Sequence, residues 1–163
     1  MNAVRAAHGL PPSAQALLLE TPAATALTLC CYSPLIAPSQ PDLPATMRIT
    51  GFAVFDSDTG APERLDPALD AFLAAGPAPL VFTLGSFATY APGDFYATAA
   101  AAAQALGLRA VLLTGNDAQA VSTEMVHVCR YAPHSLLFPR ACAIIHHGGA
   151  GSTGQALREI GRA

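Results

Sequence analysis

Charge is scarce in this sequence: only 12% of its 163 residues are Asp, Glu, Lys or Arg, against 52% hydrophobic. So little charge excludes a disordered, self-repelling chain, and most of it must be packed. The eight basic residues do not outnumber the eleven acidic ones, and the formal net charge is −3. There is no basic surplus to attract nucleic acid or an anionic membrane surface. A nucleotide substrate is not excluded, because one diphosphate needs only a local set of donors. The four cysteines, Cys30, Cys31, Cys129 and Cys142, form no C-x-x-C pair. Reduced, buried thiols in a cytosolic protein are the expectation, rather than a metal site or a disulfide framework. No apolar run approaches the roughly 18 residues of a membrane span. The apolar stretch from Ala14 to Ala37 is broken by Glu20, Pro22 and Pro34, and Met1 to His8 lack the apolar core of a signal peptide. A cytoplasmic protein without a membrane span is therefore expected. There is no internal repeat.

The regular pattern begins after a proline-rich stretch. Pro34, Pro38, Pro41 and Pro44 punctuate residues 32–44, and proline disfavours helix at and before its own position. This segment is expected to be extended and to act as a linker. Residues 1–31 before it hold one helical and one strand-like piece (Ala26 to Tyr32), too little for a core of their own.

Beyond the linker, Asp66-Pro67 followed by Leu69, Phe72, Leu73 and Gly76 predicts a short helix with an N-cap, Pro at N1 and Gly at C′. Residues 79–84 (PLVFTL) form an apolar run fit for a strand buried on both faces. Gly93-Asp94 opens an alanine-rich helix that Gly107 closes, with the alanines at 99–103 expected on a surface helix. Further strands are predicted at 109–114, 125–131 and 141–146, with His127 filling the core or its edge. Strand alternating with helix or loop predicts an α/β fold with a Rossmann-like parallel sheet.

In such a sheet, ligands bind outside the carboxyl ends of the strands. Those ends read Gly85-Ser86, Gly115-Asn116, Tyr131 to His134, and His146 to Thr153. The last is the most informative. Gly148, Gly149, Gly151 and Gly154 follow a buried strand and precede a helical start at Gln155-Ala156-Leu157. Such glycines let the backbone approach a ligand and leave amides at a helix N-terminus, an anion site. Ser152 and Thr153 add hydroxyls and His146 an imidazole. The competing reading is a tight turn with no ligand.

Gly149, Gly151 and Gly154 also spell G-x-G-x-x-G, which would suggest a NAD(P) or flavin oxidoreductase. That fingerprint should open the first βαβ unit, with an acidic residue about 20 positions on. Here the sequence ends nine residues after Gly154. Ser152 is not in a G-x-S-x-G elbow. Asp56 to Gly60 resembles the start of a calcium loop but lacks its later acidic ligands, and reads as a solvated turn.

The run Ile144 to Thr153, with Gln155-Ala156-Leu157 behind it, resembles the donor-binding signature of bacterial UDP-glycosyltransferase-like enzymes. Residues 29–44, Thr50-Gly51-Phe52, residues 81–86, 110–115 and 131–140 match in order. The likeness is to the subgroup with the rhamnolipid rhamnosyltransferase and sterol-glucosyltransferase-like proteins. It implies the GT-B architecture of two facing Rossmann-like domains, with no metal and no cofactor beyond the nucleotide-sugar substrate. Residues 1–50 would then be the end of the N-terminal domain and the interdomain linker, and 51–163 a partial donor-binding domain.

On this resemblance the donor diphosphate falls to His146, Gly148, Gly149, Ala150, Gly151, Ser152, Thr153 and Ser86. The nucleoside falls to Tyr131 and His134. The family's chemistry is inverting transfer of a hexosyl group from a UDP- or dTDP-sugar to a lipid or small hydrophobic acceptor. Relatives continue past the position of Leu157 to an Asp-Gln pair that grips the sugar, whereas here Arg158 to Ala163 follow. The acceptor-activating histidine of the N-terminal domain has no counterpart either. The expectation is a donor-binding piece inactive alone, or a stand-alone half that needs a partner subunit, with self-association through its truncated sheet.

Overall fold

The structure, a computed structural model, describes residues 2–13, 25–53, 64–115 and 120–160. The turn expected at Asp56 to Gly60, and Asn116, lie outside the described residues. The chain divides into two units, Met1–Gly51 and Phe52–Ala163.

The first unit holds α1 (Asn2–Ala7) and two short strands, β1 (Thr28–Cys30) and β2 (Met47–Ile49). These pair in parallel, Thr28 opposite Met47 and Cys30 opposite Ile49. β1 falls inside the strand-like piece expected at 26–32. β2 was not anticipated, because three residues carry no period of their own. None of the described residues of this unit is buried, in keeping with a segment too small for a core. The proline-rich stretch is non-helical but not extended throughout. The amides of Ile36 and Ala37 both donate to the Ser33 carbonyl, and the Ser33 hydroxyl accepts from Leu35, so Pro34 starts a turn.

The second unit is a Rossmann-like α/β fold. Its sheet holds β3 (Leu80–Thr83), β4 (Ala110–Leu113), β5 (Val126–Cys129) and β6 (Ala143–His146), all parallel, in the order β5-β4-β3-β6. Every residue of the central strands β3 and β4 is buried, as their predominantly apolar runs require. The outer strands β5 and β6 are half-covered, which places His127 on an edge.

Alternation along the central strands sorts the core into two layers. Val81, Val111 and Leu113 face Leu69, Leu73, Leu137, Phe138 and Ala156, from α2 (Pro67–Ala74), α5 (His134–Leu137), the 3-10 turn Phe138–Arg140 and α6 (Ala150–Ile160). Leu80, Phe82 and Leu112 face Tyr96, Ala99 and Ala103 of α4 (Phe95–Ala105). Each large apolar side chain so buried contributes about 1.5–3 kcal/mol.

Two local expectations need correction. The alanines of α4 are not merely surface helix formers. Ala99 and Ala103 are buried against the sheet, and their small size brings the helix close to it. Gly76 is not in the left-handed region that a glycine C-cap uses. Its missing side chain instead makes room for Arg109, whose Nη1 would lie 3.0 Å from an added Cβ. That guanidinium sits 3.9 Å over the Phe72 ring and donates to the carbonyls of Pro77 and Phe72. At the other end of α2 the Asp66 carboxylate accepts from the Ala68 amide at 2.9 Å, with Pro67 at N1. Gly107, at φ 63°, does close α4 in the left-handed region.

Candidate functional site

β3 pairs with β4 on one side and β6 on the other, so the strand order reverses at β3. Thr83 at the end of β3 is the register partner of both Leu113 and His146. In an open parallel sheet, a crevice forms where connections leave in opposite directions from two neighbouring strands. Here those connections are the Gly85 turn into α3 (Gly85–Ala88) and the His146 loop into α6.

A cavity of about 450 Å³ opens on this rim. Its floor includes Thr83 and Leu113, the terminal residues of the two central strands. Gly85 and Gly115, both at positive φ, turn the chain away from the rim and keep it open. Beyond β5 the wall is Arg130, Tyr131 and His134; it continues into Gly151, Ser152 and Gln155 of α6 where His134 and Gln155 share a hydrogen bond, with Ala53 and Thr89 completing it.

The glycine-rich loop is organised by its own main chain. The His146 Nδ1 accepts from the Gly148 amide at 3.1 Å, so the neutral ring carries its proton on Nε2. Gly148 sits at φ 82°. Thr153 donates to the Gly149 carbonyl at 2.9 Å, the bond that starts α6. The amides of Gly148 and Thr153 are therefore already used. Those of Ala150, Gly151 and Ser152 fall in the first turn, where a helix has no carbonyl of its own to offer. Gly151 and Ser152 also line the cavity, and Ser152 is buried.

The neighbouring histidine, His147, is placed differently from His146. A Cβ on Gly85 would lie 2.6 Å from the His147 Cε1, and one on Gly149 would meet the same ring. The His147 imidazole thus lies against both glycine-rich connections, while His146 is tied to the loop backbone.

Of the residues singled out from sequence, Tyr131, His134, Gly151 and Ser152 come together around one cavity. His146, Gly148, Gly149, Ala150 and Thr153 lie in the adjoining loop and first turn without lining it. Ser86 follows Gly85 in α3; the structure describes its backbone only. Tyr131 is exposed and His134 half-buried, its ring stacked on Phe138 with centroids 4.3 Å apart.

Thr83, Thr89, Arg130 and Gln155 were missed as wall residues. Gln155 is one helical turn beyond Gly151, a spacing that puts both on one face. Arg130 stands beside Tyr131, and its Nε donates to the Gly115 carbonyl at 3.1 Å, joining two walls. No signal in the sequence marks Thr83 and Thr89 as more than strand and loop residues. Among the described residues no group of three or more His, Cys, Asp or Glu could hold a metal ion, and no helix is long and apolar enough to cross a membrane.

A parallel α/β unit with a cavity at its switch point, floored by strand ends and walled by a glycine-rich helix start, has the architecture in which open α/β sheets bind ligands. No family model matches the chain. It is 33% identical over 159 residues to the O-mycaminosyltylonolide 6-deoxyallosyltransferase of Streptomyces fradiae, covering 97% of this chain and 36% of that protein. It is 35% identical over 167 residues to the vancomycin aglycone glucosyltransferase of Amycolatopsis orientalis, covering 97% and 37%. A sterol 3-beta-glucosyltransferase of Emericella nidulans is 30% identical over 139 residues, covering 78% and 10%. Among solved structures, the glycotransferase of kitacinnamycin superposes with a TM-score of 0.62 at 20% identity, covering 82% of this chain and 34% of that one. That last likeness is one of fold. By sequence the chain is similar to these glycosyltransferases over most of its own length, and it spans little more than a third of the length of the first two relatives.

Proposed function

We propose that residues 52–163 form the donor side of a glycosyltransferase site and bind a UDP- or dTDP-sugar through its diphosphate and nucleoside. The observation that carries this is the β3/β6 switch point, where the first turn of α6 and the Gly85 turn face one cavity. The amides of Gly151 and Ser152, with the Ser152 hydroxyl, are placed for phosphate oxygens at the positive end of the helix dipole. Tyr131 and His134, on the wall beyond β5, take the nucleoside in this reading. Arg130, on that same wall, adds a cationic edge.

Such a cradle does chemistry as well as binding. As the bond from the anomeric carbon to the diphosphate breaks, negative charge grows on the leaving oxygen. Fixed amides aimed there stabilise it without reorganising, the general logic of oxyanion stabilisation. His146, with Nε2–H available to donate, is proposed to reach the same phosphate. A second group must deprotonate the acceptor hydroxyl so that it attacks from the opposite face and inverts the centre. We assign that base to acceptor-side residues outside this unit, with residues 1–50 as the end of that side and its linker. Acceptor side and donor side would meet either in one longer polypeptide or through a partner subunit.

The named relatives transfer glucosyl or 6-deoxyallosyl groups, and their names include an antibiotic aglycone and a sterol. The acceptor class proposed here is accordingly a lipid or small hydrophobic molecule. The test is calorimetric titration of the chain with UDP, dTDP and NAD. Heat with either diphosphate, at micromolar to millimolar Kd, is the expected result. Binding of NAD with neither diphosphate would replace this reading with a dinucleotide one.

A further inference from the structure

The last glycine of the G-x-G-x-x-G spelling, Gly154, lies inside α6 rather than in the turn before it. An added Cβ would fall 2.5 Å from Cγ, 2.6 Å from Cδ1 and 2.9 Å from Cβ of Phe52. The space that a side chain would fill is occupied by an aromatic ring. Alanine is a better helix former than glycine, so a glycine here has a packing reason. Ala53, next to Phe52, lines the cavity, as do Gly151, Ser152 and Gln155 on the helix that Phe52 touches. The residues on either side of this contact are therefore walls of the same cavity.

We infer that Phe52 is a positioning residue for the donor site: its ring, seated on Gly154, holds the first turn of α6 at a fixed distance from Ala53. The amides of Gly151 and Ser152 are then held in place from behind. The G-x-G-x-x-G spelling gains a different meaning, since its last glycine receives an aromatic ring rather than approaching a dinucleotide. The link to affinity rests on the donor-site reading; the contact and its effect on the helix start do not.

The experiment is a double-mutant cycle on the full chain with F52A, G154A and F52A/G154A. The first readout is Tm. In the wild-type background G154A drives a methyl into the ring and Tm falls. In the F52A background the same change only improves helix propensity and Tm rises. The same sign in both backgrounds would overturn the contact. The second readout is the amide resonances of Gly151 and Ser152 without ligand, which shift in F52A; unmoved resonances would overturn the positioning role. The third is UDP affinity, weaker by about tenfold in F52A and in G154A, with no further loss in the double variant. Affinity unchanged in F52A would likewise defeat the role. A wild-type chain that fails to bind UDP would refute the donor-site reading, leaving the first two readouts to decide the contact.

Discussion

The Nδ1 of His134 and the Oε1 of Gln155 share a hydrogen bond that ties α5 to α6 across the cavity wall. An amide oxygen only accepts, so Nδ1 is the donor and Nε2 of the neutral ring keeps its lone pair. With Phe138 stacked beneath it, the His134 ring is fixed in both plane and tautomer. Q155A removes that hold. UDP affinity is expected to fall by about tenfold through loss of one side-chain bond and the disorder of another. Titration calorimetry reads it, and an affinity equal to wild type would show that His134 needs no such support.

His146→Ala tests the loop more directly. The ring accepts from the Gly148 amide, so its removal loosens the turn as well as deleting one donor. Loss of one charge-assisted bond weakens UDP binding by about tenfold to a hundredfold. Undiminished binding would take His146 out of the site.

Gly149 offers a test of its neighbour. Its φ is not in the left-handed region, and the nearest atoms opposing a side chain there are those of the His147 ring. G149A should lower Tm and UDP affinity, and H147A/G149A should recover both. Thermal melts and titrations on the three variants decide it, and a double variant as poor as G149A would mean that the backbone itself refuses the methyl.

The edge strand β5 sets two pH limits. Burial lowers the pKa of His127, against the opposing charge of Asp66. The folded state then holds fewer protons than the unfolded one, so its stability falls as pH drops through the ordinary value of 6.5. H127Q should flatten the fall in Tm between neutral and mildly acid pH. Burial, helped by Asp66, raises the Cys129 thiol from 9.0 to about 11. Its contribution is complete below 9.0 and fades as pH approaches 11. At pH 8, iodoacetamide should modify the exposed Cys31 and Cys142 while sparing Cys129, as mass spectrometry of the intact chain and its peptides would show. Labelling of all three at one rate would contradict the burial.

Tyr96 donates to the Leu113 carbonyl at 2.6 Å in the buried layer under α4. Y96F keeps the ring but removes the hydroxyl, and is expected to cost about 0.5–1.5 kcal/mol. A denaturant melt with unchanged slope and lower midpoint would show it.

Much of this was legible because burial on both faces leaves a plain mark. The run at 110–113 is apolar throughout and that at 80–83 in all but Thr83, and Asp66 and Gly107 announce a helix start and a helix end by backbone chemistry alone. What stayed hidden depends on neighbours remote in sequence. Nothing local tells that Gly76 yields to Arg109 or Gly154 to Phe52, or that Ala99 faces the sheet. The two adjacent histidines read alike as letters. Only the fold ties one to Gly148 and lays the other on Gly85.

The pairing of β3 with β6 has a further consequence. It skips two intervening strands and joins residues 80–83 to residues 143–146, the most distant partners in the sheet. Closing so long a loop is entropically slow, and long-range parallel contacts of this kind form late. As the polypeptide leaves the ribosome, β3, β4 and β5 can assemble while one flank of β3 stays raw. The α6 wall of the cavity arrives only after β6, with residues 150–160. A nascent chain stalled before residue 143 would therefore carry a sticky strand edge and no cavity, the state in which this protein most needs a chaperone.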